Sequence, residues 1–458
     1  MRITRYKNCR TTERCNQMTK PFIALFIVLL ATAGCSDSNS DTSVLKPDVG
    51  ANDSGHTLDD ASLSDDASAP NDAGVDDAGI SDAASVNDAG ISDAADLSDD
   101  ANIPDEPRAI GPRPVTPTAV ELGTLFAAPD GTGDACSLAS PCDIYTVTSA
   151  AAAGDVIFMR GGIYTIDRNL DFRGRGTSPA PPIFESYPGE VAILDGSGQE
   201  AGDNVYIRVL GDPVVLRLFE IRKMARSGIS VRTSDNVLEG LRVYDNLLSG
   251  IHVHESYDAP TSNNNLITDC VVFGNSGAGI FDLEYNDGGN SDGISMSSGI
   301  GNRIENVLSY NNSDDGIDTW RTLGSYVGYS ITYGNGIANG NGQGFKSGGA
   351  PPSAGTTVEH SLSYSNKGAG FDQNSGLDVE FFNNTSWDNG RGYWFGNDTT
   401  GSNNVAFETT NPANDRGNQT DNSWQRAGAP TPLSTDPASP DFLVPAPGFD
   451  DIGAHAGR

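Results

Sequence analysis

Positive charge is what this chain has least of. Its 458 residues hold 28 Lys and Arg against 61 Asp and Glu, for a formal net charge of −33. A surface of that sign repels a phosphate backbone, which excludes nucleic acid as a partner. Aromatic residues make up only 8% of the chain, and apolar positions at helical spacing are scarce, so amphipathic helices do not supply the core. Long apolar runs are missing too, with one exception from Phe22 to Ala31, which is too short to span a bilayer. In their place stand 54 glycines, together with many Asn and Ser.

The one apolar run belongs to an export signal. "MTKPFIALFIVLLATAGC" places Lys20 before the run and small residues before Cys35. The pattern resembles a bacterial lipoprotein signal, with Thr32 where Leu is usual; the resemblance implies that Cys35 is lipidated and becomes the mature N-terminus. An ordinary cleaved secretory signal is the alternative, and both export the protein. The first 17 residues lie outside the pattern, which makes Met18 a candidate start. Export orders the remaining cysteines: Cys136 and Cys142, six apart in "DACSLASPCD", are expected to close a disulfide in an oxidising compartment. Cys270, in the apolar run "ITDCVVFG", is expected to be a buried free thiol.

From residue 36 to 108 the chain carries nineteen Asp and Glu against two Lys and Arg, with "DAGISDAA" occurring twice. Such a segment buries too little apolar surface to fold. It reads as a disordered tether averaging roughly 45 Å end to end, further extended by its own charge. The expected organisation is a signal over 1–34, a tether over 35–110, a folded body over 111–427 and a C-terminal cap over 428–458.

The body repeats. "RSGISV", "LSGIHV", "SDGISM", "DDGIDT", "GQGFKS", "GAGFDQ" and "GRGYWF" centre on Gly228, Gly250, Gly293, Gly316, Gly344, Gly370 and Gly392, at steps of 22, 43, 23, 28, 26 and 22 residues. Strand-like runs closing on Asn, such as "NRIENVLSYNN", precede several of them. Two or three short strands per 22 or so residues, with turns of Asn and Gly, predict an all-β right-handed parallel β-helix. The 43-residue step is expected to be one coil plus an insertion, roughly 276–290.

Stacking the coils converts spacing into geometry. With the glycines aligned, Ile294, Ile317, Phe345 and Phe371 form an inward column, and strand alternation turns Ser295, Asp318, Lys346 and Asp372 outward. Asp315 aligns with Asp292, so Asp292, Asp314, Asp315 and Asp318 are expected to converge on one patch of outer surface, with Lys346 one coil above Asp318. Hard oxygen ligands without His or Cys suit Ca²⁺ and not zinc. Asp-Gly turns are also common as solvated surface; the aligned Asp292 and Lys346 favour the metal reading.

The motifs "GGNSDGISM", "NNSDDGIDTW", "NGNGQGFKSGG" and "NKGAGFDQNS", in that order at one-coil spacings, resemble polysaccharide lyase family 9, the β-helical pectate lyases. The resemblance implies that Asp292, Asp314, Asp315 and Asp318 bind calcium and that Lys346 is the catalytic base. It also implies an acidic polysaccharide, polygalacturonate or pectin-like, as substrate. The chain departs from the family pattern at Ile317, at Ser347 and in the insertion before Asp292.

The chemistry accounts for the constellation. β-Elimination on a uronate removes the C5 proton, α to a carboxylate, and expels the glycosidic oxygen at C4. The developing charge calls for a cation and the proton for a neutral base. A lysine near Ca²⁺ loses its proton more easily, while Asp318 opposes that loss unless the metal holds its carboxylate. Arg321, Asn374 and Arg391 are candidates for contact with substrate. His252 and His254, lower on the same face, are read as plain surface histidines. Of Tyr393 and Trp394, one is expected in the core and one outside.

Two other classes stay open: a β-helical glycoside hydrolase with paired carboxylates, which has no use for Lys346, and a non-catalytic polyuronate-binding surface protein. The expectation is a monomeric, calcium-dependent lyase at the cell surface or outer membrane, touching the membrane only through a lipid anchor.

Overall fold

The computed structural model describes residues 108–175, 180–255, 261–408 and 410–456. The export signal, Cys35 and nearly all of the acidic tether lie outside the described residues. The described residues wind into a right-handed parallel β-helix whose strands form three parallel sheets, of twelve, nine and ten strands among these residues.

One coil shows the plan. Ile229–Val231 lies in the nine-stranded sheet, Val237–Glu239 in the twelve-stranded sheet and Arg242–Tyr244 in the ten-stranded sheet. The chain then returns at Ile251–Val253, where Ile251 pairs with Ile229 and His252 with Ser230. Ile294 pairs directly with Ile251, so the 43-residue step is one coil with an insertion. That insertion is held down by Tyr285, which is buried and donates its hydroxyl to Ala225 O at 2.7 Å. Glu284 adds an ion pair with Arg226.

The recurring Asn, Asp and Gly are explained by the corners. From Val215–Arg217 onward the residue after each strand of the twelve-stranded sheet is left-handed, and Gly240, Asp269, Asn306, Tyr329, His360, Asn383 and Asn403 all have φ between 47° and 65°. Glycine and short polar residues bear this conformation with least strain. A second corner, between the ten- and nine-stranded sheets, carries a buried ladder of Asn246, Asn275, Asn312, Asn335, Asn366 and Asn389. From Asn275 on, each side-chain carbonyl accepts both the backbone N–H and the side-chain N–H of the asparagine one coil before, as Asn335 does from Asn312 at 3.0 Å in both bonds. The ladder ends on Glu408 Oε1, which accepts from Asn389. Backbone groups that a coil cannot satisfy by itself thus find partners inside the core.

The interior holds the expected apolar columns, with Phe345, Phe371 and Tyr393 stacked at 4.9 and 4.8 Å. Tyr393 is fully buried and Trp394 is half-exposed. At the N-terminal end the helix Ile144–Ala150 buries Ile144 and Val147, and Cys136 and Cys142 beside it are disulfide-bonded. Cys270 is a buried free thiol, pushed up to about 12 by burial. Residues 428–456 pack Phe442, Leu443, Phe449 and Ile452 against Leu362, Tyr364, Trp387 and Val405.

Residues 108–118 form a strap that no repeat announces. Arg108 pairs with Glu305, Arg113 with Asp269 at 2.9 Å, and Thr118 N donates to Glu185 at 2.9 Å. The strap therefore runs across the left-handed corners, against the direction in which the coils progress.

Candidate metal and lysine site

The nine-stranded sheet sets one column of side chains facing away from the core. Register pairs Ser230 with His252, His252 with Ser295, Ser295 with Asp318, Asp318 with Lys346, Lys346 with Asp372 and Asp372 with Trp394. The outward column read from the sequence is present residue for residue.

Its surroundings differ from the expected open patch. Asp315 is 0% exposed, and Asp292, Asp314 and Asp318 are each 5% exposed. One cause is a second use of three of these carboxylates, each accepting from the backbone of the next coil. Asp292 Oδ1 takes Asp315 N at 3.1 Å, Asp314 Oδ1 takes Asn341 N at 2.9 Å, and Asp315 Oδ1 takes Gln343 N at 2.6 Å. These bonds draw the acidic turns under one another and away from solvent.

Asp292 Oδ2 also accepts from Ser249 Oγ at 3.3 Å, while Asp315 Oδ2 and both oxygens of Asp318 are left to face the cluster. Oxygens of Asp292, Asp315 and Asp318 lie within 4.8 Å of one another; Asp314 stands beside this trio. Lys346 Nζ lies 3.1 Å from both Asp315 Oδ2 and Asp318 Oδ2. Asp315 Oδ2 and Asp318 Oδ1 are buried and accept no hydrogen bond; the Asp315–Lys346 approach is an ion pair without hydrogen-bond alignment. Buried carboxylate oxygens left in that state are costly. A set of oxygen donors with unmet capacity fits Ca²⁺, which takes six to eight oxygens including waters.

The electrostatics follow from the crowding. Burial, then repulsion from Asp315, pushes Asp292 up to about 6. Burial raises Asp314 and Asp318 well above the ordinary carboxylate range, with the neighbouring aspartates adding to it. For Lys346 burial disfavours the ammonium, but Asp315, Asp318, Asp314 and Asp292 outweigh it and hold the proton well above the usual value. With the carboxylates free to act on it, Lys346 is a firmly held cation.

The other candidate residues divide. Asn374 N donates to Asp372 Oδ1 at 2.7 Å and its side chain donates to Gly348 O at 2.9 Å, so the amide nitrogen is committed to a turn. Arg391 lies over the Trp394 ring at 3.9 Å, two coils beyond Lys346. Arg321 lies 5.5 Å from the Trp320 ring, next to the aspartate turn. His252 and His254 are not plain surface residues. Their rings stack at 4.1 Å, and His252 Nε2 lies 2.8 Å from Ser297 Oγ. Burial, with the charge of Arg232, brings His254 down to about 4. Sequence reasoning missed Gln343, whose side chain donates to Asp372 Oδ2 at 3.2 Å. Its alignment with Asp292 and Asp315 in the position before the glycine was the available signal.

The family model "Pel9A-like, right handed beta helix region" matches residues 125–411. The chain belongs to the Pel9A-like family of right-handed β-helix polysaccharide lyases. Among its relatives, pectate lyase L of Paenibacillus polymyxa is 27% identical over 360 residues, covering 72% of this chain and 79% of that protein. Pectate lyase PEL9 of Emericella nidulans is 27% identical, covering 59% of this chain and 74% of that protein. Among solved structures, pectate lyase Pel9A superposes with a TM-score of 0.60 at 24% identity, covering 73% of this chain and 90% of that one. A rhamnogalacturonan lyase gives a TM-score of 0.58 at 19% identity, covering 72% of this chain and 100% of that one. This Pel9A-like chain thus shares its β-helix with lyases of different pectic names.

Proposed function

We propose that this protein is a calcium-dependent pectate lyase that cleaves polygalacturonate-like chains by β-elimination, with Lys346 as the base. One observation carries the reading: a single lysine ammonium is set between Asp315 and Asp318, inside a buried carboxylate cluster in which Asp315 Oδ2 and Asp318 Oδ1 lack hydrogen-bond donors. Asp292, Asp314, Asp315 and Asp318 would hold the ion. When bound, calcium supplies the countercharge for a uronate carboxylate and relieves the pull of these aspartates on the lysine proton.

The chain's own residues do the rest. Register points Lys346 out of the coil, where a chain lying along the column brings a sugar C5–H to Nζ. Neutral Nζ takes the C5 proton, the C–H electron pair becomes the C4=C5 double bond, and the C4–O bond breaks with its electrons on oxygen. Solvent protonates that oxygen. Asp372, one coil beyond Lys346, and Gln343, three residues before Lys346 and bonded to both Asp372 and Asp315, fix the far side of the site. Arg391 on Trp394 and Arg321 beside Trp320 offer cations to further uronate carboxylates.

Export through the N-terminal signal, attachment through Cys35 and a monomeric state complete the reading, supported by the sequence alone. The experiment is a panel of uronate polymers with and without chelator, read by the ultraviolet absorbance of the conjugated product. Absorbance that rises on polygalacturonate and is abolished by chelator is the expected result. Reducing ends released without that absorbance would assign the protein to hydrolysis.

A further inference from the structure

Among the half-buried arginines of the N-terminal coils, Arg232 stands apart. Arg208 is paired with Asp171 at 2.7 Å, Arg222 with Asp195, Arg217 with Glu239 and Arg226 with Glu284. Arg232 has no carboxylate within ion-pair distance among the described residues, and its buried Nε has no hydrogen-bond partner. Its nearest aromatic contact is loose, at 5.8 Å from the Tyr206 ring. In a chain with 61 Asp and Glu and 28 Lys and Arg, a guanidinium left without an acid is set aside for an external anion.

Its place in the fold says which anion. Arg232 follows Ile229–Val231 and keeps the strand's backbone pairing, its N–H donating to Val209 O at 3.1 Å. Two residues beyond Ser230, it faces outward with the column that leads to Lys346, and His254, two beyond His252, occupies the corresponding position one coil up. The stacked His252 and His254 rings lie between Arg232 and the Ser295–Asp318 step, and their low basicity keeps Arg232 the lone cation of this stretch among the described residues. Neutral imidazoles offer flat faces and single N–H groups to a sugar without competing for its carboxylate.

We propose that Arg232, with His252 and His254, is a distal subsite that binds the carboxylate of a second uronate unit of the chain held at Lys346. The proposal rests on the polyuronate reading of the lysine site. Four coil steps separate Arg232 from Lys346 along the column, roughly 19 Å at about 4.8 Å per step. A pyranose unit advances a chain by about one such step, so the subsite is reached only by oligomers of about five or more units.

The test uses binding and not turnover. In a Lys346→Met parent with calcium present, the affinities of digalacturonate and hexagalacturonate are measured by calorimetry, with Arg232→Gln and Arg232→Lys added in turn. Loss of a charge-assisted hydrogen bond is worth about tenfold or more in affinity. Arg232→Gln should weaken hexagalacturonate binding by that factor and leave digalacturonate unchanged, and Arg232→Lys should keep most of the affinity. Equal hexamer affinity with and without Arg232→Gln overturns the subsite. Should the Gln variant fail to melt cooperatively, the parent's own length series decides: a step in affinity between two and six units is expected, and its absence overturns the subsite. Failure of the lyase reading looks different, namely wild-type protein that binds hexagalacturonate in this length-dependent way and releases no unsaturated product.

Discussion

Lys346 and Asp318 are successive rungs of one column: their Cα atoms are paired in register across adjacent coils, and Nζ lies 3.1 Å from Asp318 Oδ2. The β-helix therefore sets the lysine–aspartate contact by backbone pairing, leaving little to side-chain choice. Asp315 makes the same approach from the turn before the strand.

Asp315 is the most deeply buried of the four aspartates, with one oxygen on Gln343 N and the other facing the Lys346 ammonium. Asp315→Asn removes a formal charge and turns one ligand oxygen into an N–H group. Calcium affinity, measured by titration calorimetry, should fall at least tenfold while the circular dichroism of the β-helix is kept. An unchanged titration would move the metal elsewhere.

The strap makes a pH-dependent prediction. Burial alone would raise the Asp269 carboxyl, but the Arg113 guanidinium and backbone N–H, at 2.9 Å, outweigh it and hold the carboxyl below its ordinary value. A carboxylate depressed in the folded state contributes stability above its unfolded pKa of about 3.9, and that contribution is lost as pH falls through the folded value. Arg113→Ala should cost about 1–2 kcal/mol at pH 7. The gap between variant and wild type in urea melts should close as pH drops below about 4. A gap independent of pH would mean that Arg113 acts by packing alone.

The asparagine ladder is testable through one rung. Asn335→Ala strands the buried Asn312 N–H and removes the side-chain donor to Asn366 Oδ1, leaving only the backbone one. Unsatisfied buried groups cost about 1–3 kcal/mol each, so the unfolding midpoint should drop clearly. Asn339→Ala, at an exposed turn with weaker bonds to Asn286, should change stability by less than about 0.5 kcal/mol.

Much of this was legible from the chain. Asn and Gly recur because the corners need left-handed residues, and strand alternation then fixes which side chains share a column, so Asp318 under Lys346 followed from counting. Other features leave no periodic trace. The strap joins Arg113 to Asp269 and Arg108 to Asn306 across separations of 156 and 198 residues, outside any repeat. The burial of the aspartates comes from bonds to the backbone one coil on, which no residue pattern displays. Tyr329 and His360 occupy left-handed corners that composition assigns to Asn or Gly; their rings stack at 5.1 Å, and Arg108 lies over Tyr329 at 4.3 Å. Arg232 was passed over because what distinguishes it is the lack of an acidic partner, and that is visible only in three dimensions.

The central claim is that Lys346 is the base, and Lys346→Met tests it most directly. The substitution keeps the aliphatic bulk against Asp315 and Asp318 and removes the amine. Initial rates of unsaturated-product release on polygalacturonate, with calcium saturating and its binding checked by titration in the same samples, give the comparison. General base catalysis is worth about 10²–10⁴-fold, so the variant should bind calcium and turn over at no more than about a hundredth of the wild-type rate. A folded, calcium-binding Met variant with more than about a tenth of wild-type kcat lies outside that range and would contradict the account, leaving Lys346 as a salt-bridge partner of the aspartates.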